Sequence, residues 1–240
     1  MNRDIKTISE AYIQEIALSP YVKTDDKDEK KEYLKYIDPK INIVIHEQKG
    51  IGATRNYIQS YYYERDTEYI FSIDDDIKNL NIKILGEETK IDNLHNFIIS
   101  SFGNCKKEKC FLWGISPFNN KFFLHEDKTT KLKYIPGGAF GFIIDKYLPV
   151  IHTGYDHLED FEFTCLNFLR YKKVLRFNNV SMNTKFFNDG GINETYGGKK
   201  ARQEATKEAC EIFKSEYGDM CKIKRKPDYY SILLNSFYKC

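Results

Sequence analysis

A strand that ends in charge limits this chain most. Tyr69-Ile-Phe-Ser-Ile73 has the β-branched and aromatic content of a sheet strand, and it runs without a break into Asp74-Asp75-Asp76. The apolar run calls for burial, whereas three adjacent carboxylates cannot be buried together, so the strand must finish at an open edge of a sheet. Around it, strand-like and helix-like segments alternate. Ile41–Ile45 reads as a buried strand, Gly50-Ile-Gly52 as a break, and Ala53–Glu64 as a helix with Ile58 and Tyr61 or Tyr62 at core spacing. Ile91–Phe102 is helix-like, Phe111–Ile115 strand-like, and Tyr134–Ile144 a strand softened by glycines. Leu158–Tyr171 reads as a helix, Val174–Phe177 as a strand, and Lys199–Tyr217 as an amphipathic helix. Asn119–Lys133 is polar and is expected to be a long flexible loop. The alternation predicts an α/β fold with a mostly parallel central sheet flanked by helices. One domain is expected over residues 1–240, with its core at about 41–217 and a basic C-terminal tail, 218–240, as an appendage.

Composition excludes several classes. With 37 Lys and Arg against 35 Asp and Glu, the formal charge of +2 gives no global field for nucleic acid or membrane. The opening residues carry no apolar run of a signal peptide, and no stretch reaches membrane-spanning length, so a soluble chain in the cytoplasm is expected. The six cysteines include no Cys-x-x-Cys pair and read as reduced thiols rather than a zinc site. The aromatic share of 15% reads as core filling, with a sugar- or base-lining role as the alternative.

Four segments carry candidate chemistry. Ligands of open α/β sheets bind beyond the carboxyl ends of the strands, where Asp74–Asp76 stand. Alternate aspartates point to one side, so Asp74 and Asp76 could share a hard divalent cation while Asp75 faces away; a solvated acidic turn is the alternative. Lys49-Gly-Ile-Gly-Ala-Thr-Arg-Asn56 places Gly52, Arg55 and Asn56 at a helix start suited to phosphate, or to an internal Arg–Asp pair. The spacing is not that of a dinucleotide-binding turn, because Arg55 stands where a third glycine belongs. Pro136-Gly-Gly-Ala-Phe-Gly141 lets a ligand approach the backbone at Gly137 and Gly138. Glu159, Asp160 and Glu162 open a helix, where carboxylates are favoured by the dipole or where one serves as a general base. His152 and His157 lie near enough to contribute. Finally Phe186-Phe-Asn-Asp-Gly-Gly-Ile192, with Gly190 and Gly191, and Tyr196–Arg202 read either as a loop closing over ligand or as plain turns.

Taken in order, these segments resemble the GT-A glycosyltransferases over roughly Ile41–Arg202. The features that carry the resemblance are a Gly-x-x-x-x-Arg-Asn helix, a hydrophobic strand into an acidic turn, a Gly-Gly strand and a Glu-Asp helix. More narrowly, Gly-Ile-Gly-Ala-Thr-Arg-Asn with Ile-Asp-Asp-Asp-Ile and a later Gly-Gly-Ile resembles the phage-type transferases associated with TET-type base hydroxylases. The resemblance implies a nucleoside-diphosphate sugar donor, Mg²⁺ or Mn²⁺, and an acceptor hydroxyl. In the narrower group that hydroxyl belongs to a hydroxymethylated pyrimidine in DNA, in a bacterial or phage-infected cell. The resemblance places Asp74 and Asp76 at the metal, with Asp74 and Asp75 also at the donor. Gly52, Arg55, Asn56, Gly137, Gly138, Gly190 and Gly191 would line the donor, and Asp160 with Glu159 would be catalytic. Lys199, Lys200 and Arg202, with the basic tail, would meet acceptor phosphates. Two departures stand out. The nucleotide-gripping first strand of the family must come from Ile5–Ile16 in altered form or lie outside the sequence. No late histidine follows His157, so Asn188, Asp189 or water would replace it at the metal.

Overall fold

The computed structural model describes residues 15–18, 31, 34–35, 42–74, 76–147, 149–152, 158–184, 199–226 and 229–239. Strand β1 (Glu15–Leu18) pairs in parallel with β2 (Asn42–Ile45), so a strand does precede residue 40, at the far end of the stretch expected to supply it. Gly50, at φ 88°, turns the chain from β2 into α1 (Ile51–Tyr63), a conformation a side chain would oppose. Helix α1 leads to β3 (Tyr69–Ile73), α2 (Leu94–Glu108) to β6 (Leu112–Ile115), and α3 (Glu159–Tyr171) to β9 (Leu175–Phe177). Between them lie β4 (Ile77–Ile84), β5 (Glu87–Lys90), β7 (Lys128–Thr129) and β8 (Ala139–Ile143), and β10 (Val180–Thr184) follows β9.

The central sheet has the order β3-β8-β6-β9-β7. This corrects the expectation of a mostly parallel sheet: β3–β8, β8–β6 and β9–β7 are antiparallel, and only β6–β9 is a parallel pair. The cause is the connections. Parallel neighbours need a crossover, usually helical, and β3, β6 and β9, each preceded by a helix, all run one way. No α-helix separates β6 from β7 or β7 from β8, so the chain returns antiparallel and β8 slots between β3 and β6. The fold is therefore mixed α/β, with the carboxyl ends of β3, β6 and β9 on one edge. A second, antiparallel sheet, β10-β4-β5, closes through Leu85 and Gly86, both at positive φ.

Two further expectations are corrected. Residues 119–133 are not a flexible loop: a 3₁₀ turn (Lys121–Phe123) and β7 lie there, and Leu124 and Leu132 are fully buried. The basic tail is not an appendage. After α4 (Lys199–Tyr217), strands β11 (Cys221–Lys226) and β12 (Tyr229–Leu234) form a hairpin, and Cys221 and Ile232 join Phe161, Phe168 and Phe213 in the main core. The alternation of Cys221 and Ile223 with Lys222 and Lys224 turns the apolar side inward and the charges outward.

The aromatic surplus fills the core. Trp113 on β6 is fully buried, stacked on Phe71 (centroids 5.5 Å apart) and met edge-on by Phe97, Phe102 and Phe177. Its ring lies over Gly141 of β8, where an added Cβ would sit 2.3 Å from the indole nitrogen. Gly141→Ala is thus expected to destabilise the chain by about 1–3 kcal/mol through overpacking. Gly103→Ala, in α2 with nothing near its notional Cβ, should instead stabilise it by roughly 0.5–1 kcal/mol. Urea denaturation of both variants checks this: equal effects would mean that the Trp113–Gly141 contact does not control packing.

Candidate functional site

The site assembles at the carboxyl edge of β3. The Asp74 amide donates to the Gly138 carbonyl (2.9 Å), one step beyond the Ile73–Ala139 pair, so the acidic turn and the Gly-Gly turn leave the sheet side by side. The Ile77 amide donates back to the Asp74 carbonyl (3.3 Å), and Asp74 and Asp76 are exposed. Neither glycine has room for a side chain: a Cβ on Gly138 would lie 2.8 Å from Met182 Sδ and 3.4 Å from Asp74 Oδ2. On Gly137 it would lie 2.2 Å from Arg55 Nη2.

Arg55 braces these turns from α1. Its Nη2 donates to the Gly137 carbonyl (3.3 Å) and pairs with Glu159 Oε1 (3.3 Å), and its guanidinium stands 4.9 Å over the Phe140 ring. Both side chains of the ion pair are only 11% exposed. This makes Arg55 an internal support of the turn, the second of the two roles its sequence position allowed. Asn56 works the same way on another segment: its amide donates to the Ile151 carbonyl (2.7 Å) and accepts from the Ile151 amide (2.8 Å). Gly52 lets α1 approach, since a Cβ there would be 3.3 Å from Ile151 Cγ2 and 3.9 Å from Glu159 Cβ.

The two adjacent carboxylates of α3 stand in different settings. Asp160 accepts from the Tyr134 hydroxyl and the Gly137 amide (3.0 Å) on Oδ2, and from its neighbour Phe161's amide (2.8 Å) on Oδ1. Burial pushes its carboxyl up, against Arg55 and these donors, which pull it down. Glu159 meets Arg55 through Oε1, and its own backbone amide also favours the charged carboxylate. Burial first, then the charge of Asp160 and more weakly that of Asp74, push Glu159 up to about 8 despite Arg55. One guanidinium thus faces three carboxylates, an excess of negative charge at the acidic turn.

The structure brings Arg55, Asp74, Gly137, Gly138, Glu159 and Asp160 together around this edge, while Gly52 packs on Ile151 and Glu159 and Asn56 holds Ile151. Asp75, His157, Asn188, Asp189, Gly190 and Gly191 lie outside the described residues, as do the side chains of Lys199 and Lys200; Arg202 is half-buried on α4. His152 takes part through its backbone, donating to Glu162 Oε2 (2.9 Å). Sequence reasoning missed Tyr134, stacked on Phe161 at 3.8 Å, because nothing local marks a tyrosine as the partner of a carboxylate 26 residues later. It also missed Met182, which reaches Gly138 only through the second sheet.

A divalent cation is tested by the donor set. Among the described residues no group of three or more His, Cys, Asp or Glu forms a cage. Mg²⁺ bound with a nucleotide needs only one or two carboxylates, with phosphate oxygens and water completing its shell. Asp74 and Asp76 are two exposed carboxylates of this kind on one turn. Comparison of the chain with protein-family models, curated proteins and solved structures finds no match in any of the three.

Glu162 gives the region a pH signature. It is 3% exposed, accepts from the His152 amide and the Tyr217 hydroxyl (3.1 Å), and burial pushes it from 4.5 up to about 7. Between those values the folded chain keeps a proton that the unfolded chain has released. Its contribution to stability therefore falls as pH rises from 4.5 to about 7, then levels off. Glu162→Gln removes the charge; its carbonyl oxygen can accept from the His152 amide while its NH2 donates to the Tyr217 hydroxyl oxygen. It should flatten this part of the Tm-against-pH curve and raise Tm above that of the unaltered chain at pH 8. An unchanged slope would remove Glu162 as its source.

Proposed function

We propose that the chain is a metal-dependent glycosyltransferase that moves a sugar from a nucleoside-diphosphate donor to an acceptor hydroxyl. The observation that carries this reading is the junction of Asp74 with Gly138, held from behind by Arg55 and Glu159. Four segments, whose order in the sequence resembles the GT-A enzymes, meet at one sheet edge. The GT-A-like architecture, with β8 inserted between like-directed strands, belongs to the same proposal.

In this reading Asp74 and Asp76 would hold Mg²⁺ or Mn²⁺, which would supply positive charge for the diphosphate. The donor would lie beside the acidic turn, which Gly137 and Gly138 let pack closely against Arg55 and Met182. Transfer breaks the bond between the sugar's anomeric carbon and the phosphate oxygen, whose electron pair leaves with the diphosphate. The acceptor oxygen bonds to that carbon, and its proton goes to a carboxylate. Of the two candidates, Glu159 is the better base for an inverting transfer. Burial and the charge of Asp160 raise its affinity for a proton, and Arg55 is its one ion-pair partner among the described residues. Asp160, engaged by three donors, holds the Gly137 turn in place. The acceptor proposed from the resemblance is a hydroxymethylated pyrimidine in DNA; it would have to be flipped from the duplex to reach the donor. Basic residues Lys222, Lys224 and Arg225, on β11, supply phosphate-binding charge towards the end of the chain.

Transfer of labelled sugar is tested on DNA carrying 5-hydroxymethylcytosine or 5-hydroxymethyluracil, on unmodified DNA, and on water as donor hydrolysis. Asp76→Asn should abolish turnover and the metal dependence of donor binding. Glu159→Gln should lower turnover about 10²- to 10⁴-fold with donor affinity nearly unchanged. Metal-independent donor binding, or full turnover in Glu159→Gln, contradicts the roles of Asp76 and Glu159. Donor hydrolysis without transfer to either modified DNA removes the DNA acceptor alone.

A further inference from the structure

A second cluster of charge lies beside the site, on the far side of Tyr134. Arg176 of β9 is 8% exposed, and its hydrogen bonds all go to neutral groups. Its Nε donates to Asn178 Oδ1 (2.7 Å) and its Nη1 to the Tyr134 carbonyl (3.2 Å), while Nη2 has no partner among the described residues. Lys133 is joined to that same Tyr134 by one peptide bond. It is half-buried and makes neither hydrogen bond nor ion pair among the described residues. Lys131, two residues earlier, is exposed, with its ammonium 5.6 Å from the Phe237 ring centroid. Leu132, fully buried between them, anchors the segment.

Asp127 Oδ1 accepts from Asn178 Nδ2 (2.9 Å), and its carbonyl accepts from the Asn178 amide (3.0 Å), so its charge reaches Arg176 through Asn178. Arg176 holds the carbonyl of Tyr134, the residue after Lys133, so the two cations stand on adjoining backbone. Burial, the Arg176 charge and the Lys131 charge push the Lys133 ammonium below its ordinary value, and only Asp127 opposes them. Burial likewise lowers Arg176 to about 10. A folded chain gains nothing in stability from such a pair unless an anion completes it.

We infer that Lys133 and Arg176, with Lys131 at the rim, form an anion subsite that takes a phosphate group of the acceptor. The chemistry matches: a guanidinium fixed by two neutral acceptors presents its remaining N–H groups, and a flexible ammonium beside it supplies the point charge. The place matches too. The Arg176 guanidinium holds the Tyr134 carbonyl, and the Tyr134 hydroxyl reaches Asp160, so the subsite and the Gly137 turn share one residue. The identity of the ligand as an acceptor rests on the glycosyltransferase reading; the anion subsite itself does not.

The test uses the full chain and binding alone. Inorganic phosphate and dimethyl phosphate are titrated calorimetrically into the unaltered protein, Lys133→Gln, Asp76→Asn and, as a surface-lysine control, Lys107→Gln, exposed on α2. Saturable phosphate binding is expected, about tenfold weaker in Lys133→Gln, as loss of one charge-assisted contact requires. It should be unchanged in the Asp76 and Lys107 variants. Preference for dimethyl phosphate would point to a diester acceptor, and preference for inorganic phosphate to a monoester. Donor affinity in the presence of Mn²⁺ should be the same in Lys133→Gln as in the unaltered chain. The inference is overturned if phosphate does not saturate, or if Lys133→Gln binds it as well as the unaltered chain does. It is also overturned if only Asp76→Asn loses binding, which would put the phosphate at the donor edge. None of these outcomes depends on transfer, so the glycosyltransferase reading stands or falls separately.

Discussion

The buried contact of Arg55 with Glu159 and the Gly137 carbonyl joins three elements that otherwise approach one another only at the sheet edge. Arg55 comes from α1, Gly137 from the turn before β8, and Glu159 from the first residue of α3. The pair is nearly dry, so neither partner is dispensable: removing one leaves a buried charge uncompensated, a loss of about 3–5 kcal/mol in comparable cases. Lysine would not replace the arginine, because a single ammonium cannot present donors to a carbonyl and a carboxylate in one plane while lying over Phe140. The same contact fixes the glycine at 137, since any Cβ there would occupy the place of the guanidinium.

From this brace follows the division of labour between the acidic groups. Asp160, saturated by Tyr134, Gly137 and Phe161, belongs to the scaffold. Glu159 is pushed towards neutrality by burial and by Asp160, while Asp74 and Asp76 stay exposed. Among the described residues, Arg55 is the cation that Glu159 pairs with. This links the packing of α1 against α3 to the chemistry proposed at the end of β3.

What was legible in the sequence was local. The strand Tyr69–Ile73 and its acidic end, the helix after Gly50-Ile-Gly52, and α4 from Lys199 to Tyr217 each carry their own periodicity or punctuation. The direction of β8 was missed although the loop expected over 119–133 left no helix between β6 and β8; the helices elsewhere along the chain suggested a parallel sheet throughout. The hairpin of β4 and β5 was missed because its turn places Leu85 at positive φ, where no turn-forming residue signals it. Leu132, alone between two lysines, and Leu124, at the end of the short run Phe122-Phe123-Leu124, gave no periodicity, although each is buried. In β11 the alternation of Cys221 and Ile223 with lysines was present, but the charge outweighed it. For the site, the residue types were visible and their contacts were not. Arg55 and Gly137 are 82 positions apart, and nothing in either segment says that one is cut to the shape of the other.

The central claim is that the edge formed by Asp74, Asp76 and the Gly137–Gly138 turn receives a nucleoside diphosphate together with a divalent cation. Calorimetric titration of the full chain with a panel of nucleoside-diphosphate sugars, with Mn²⁺ and then with chelator, tests it most directly. The account predicts saturable binding of at least one donor with Mn²⁺ that weakens at least about a hundredfold, or nearly 3 kcal/mol, in chelator. Equal affinity with and without the metal, or binding of no member of the panel under either condition, would contradict it.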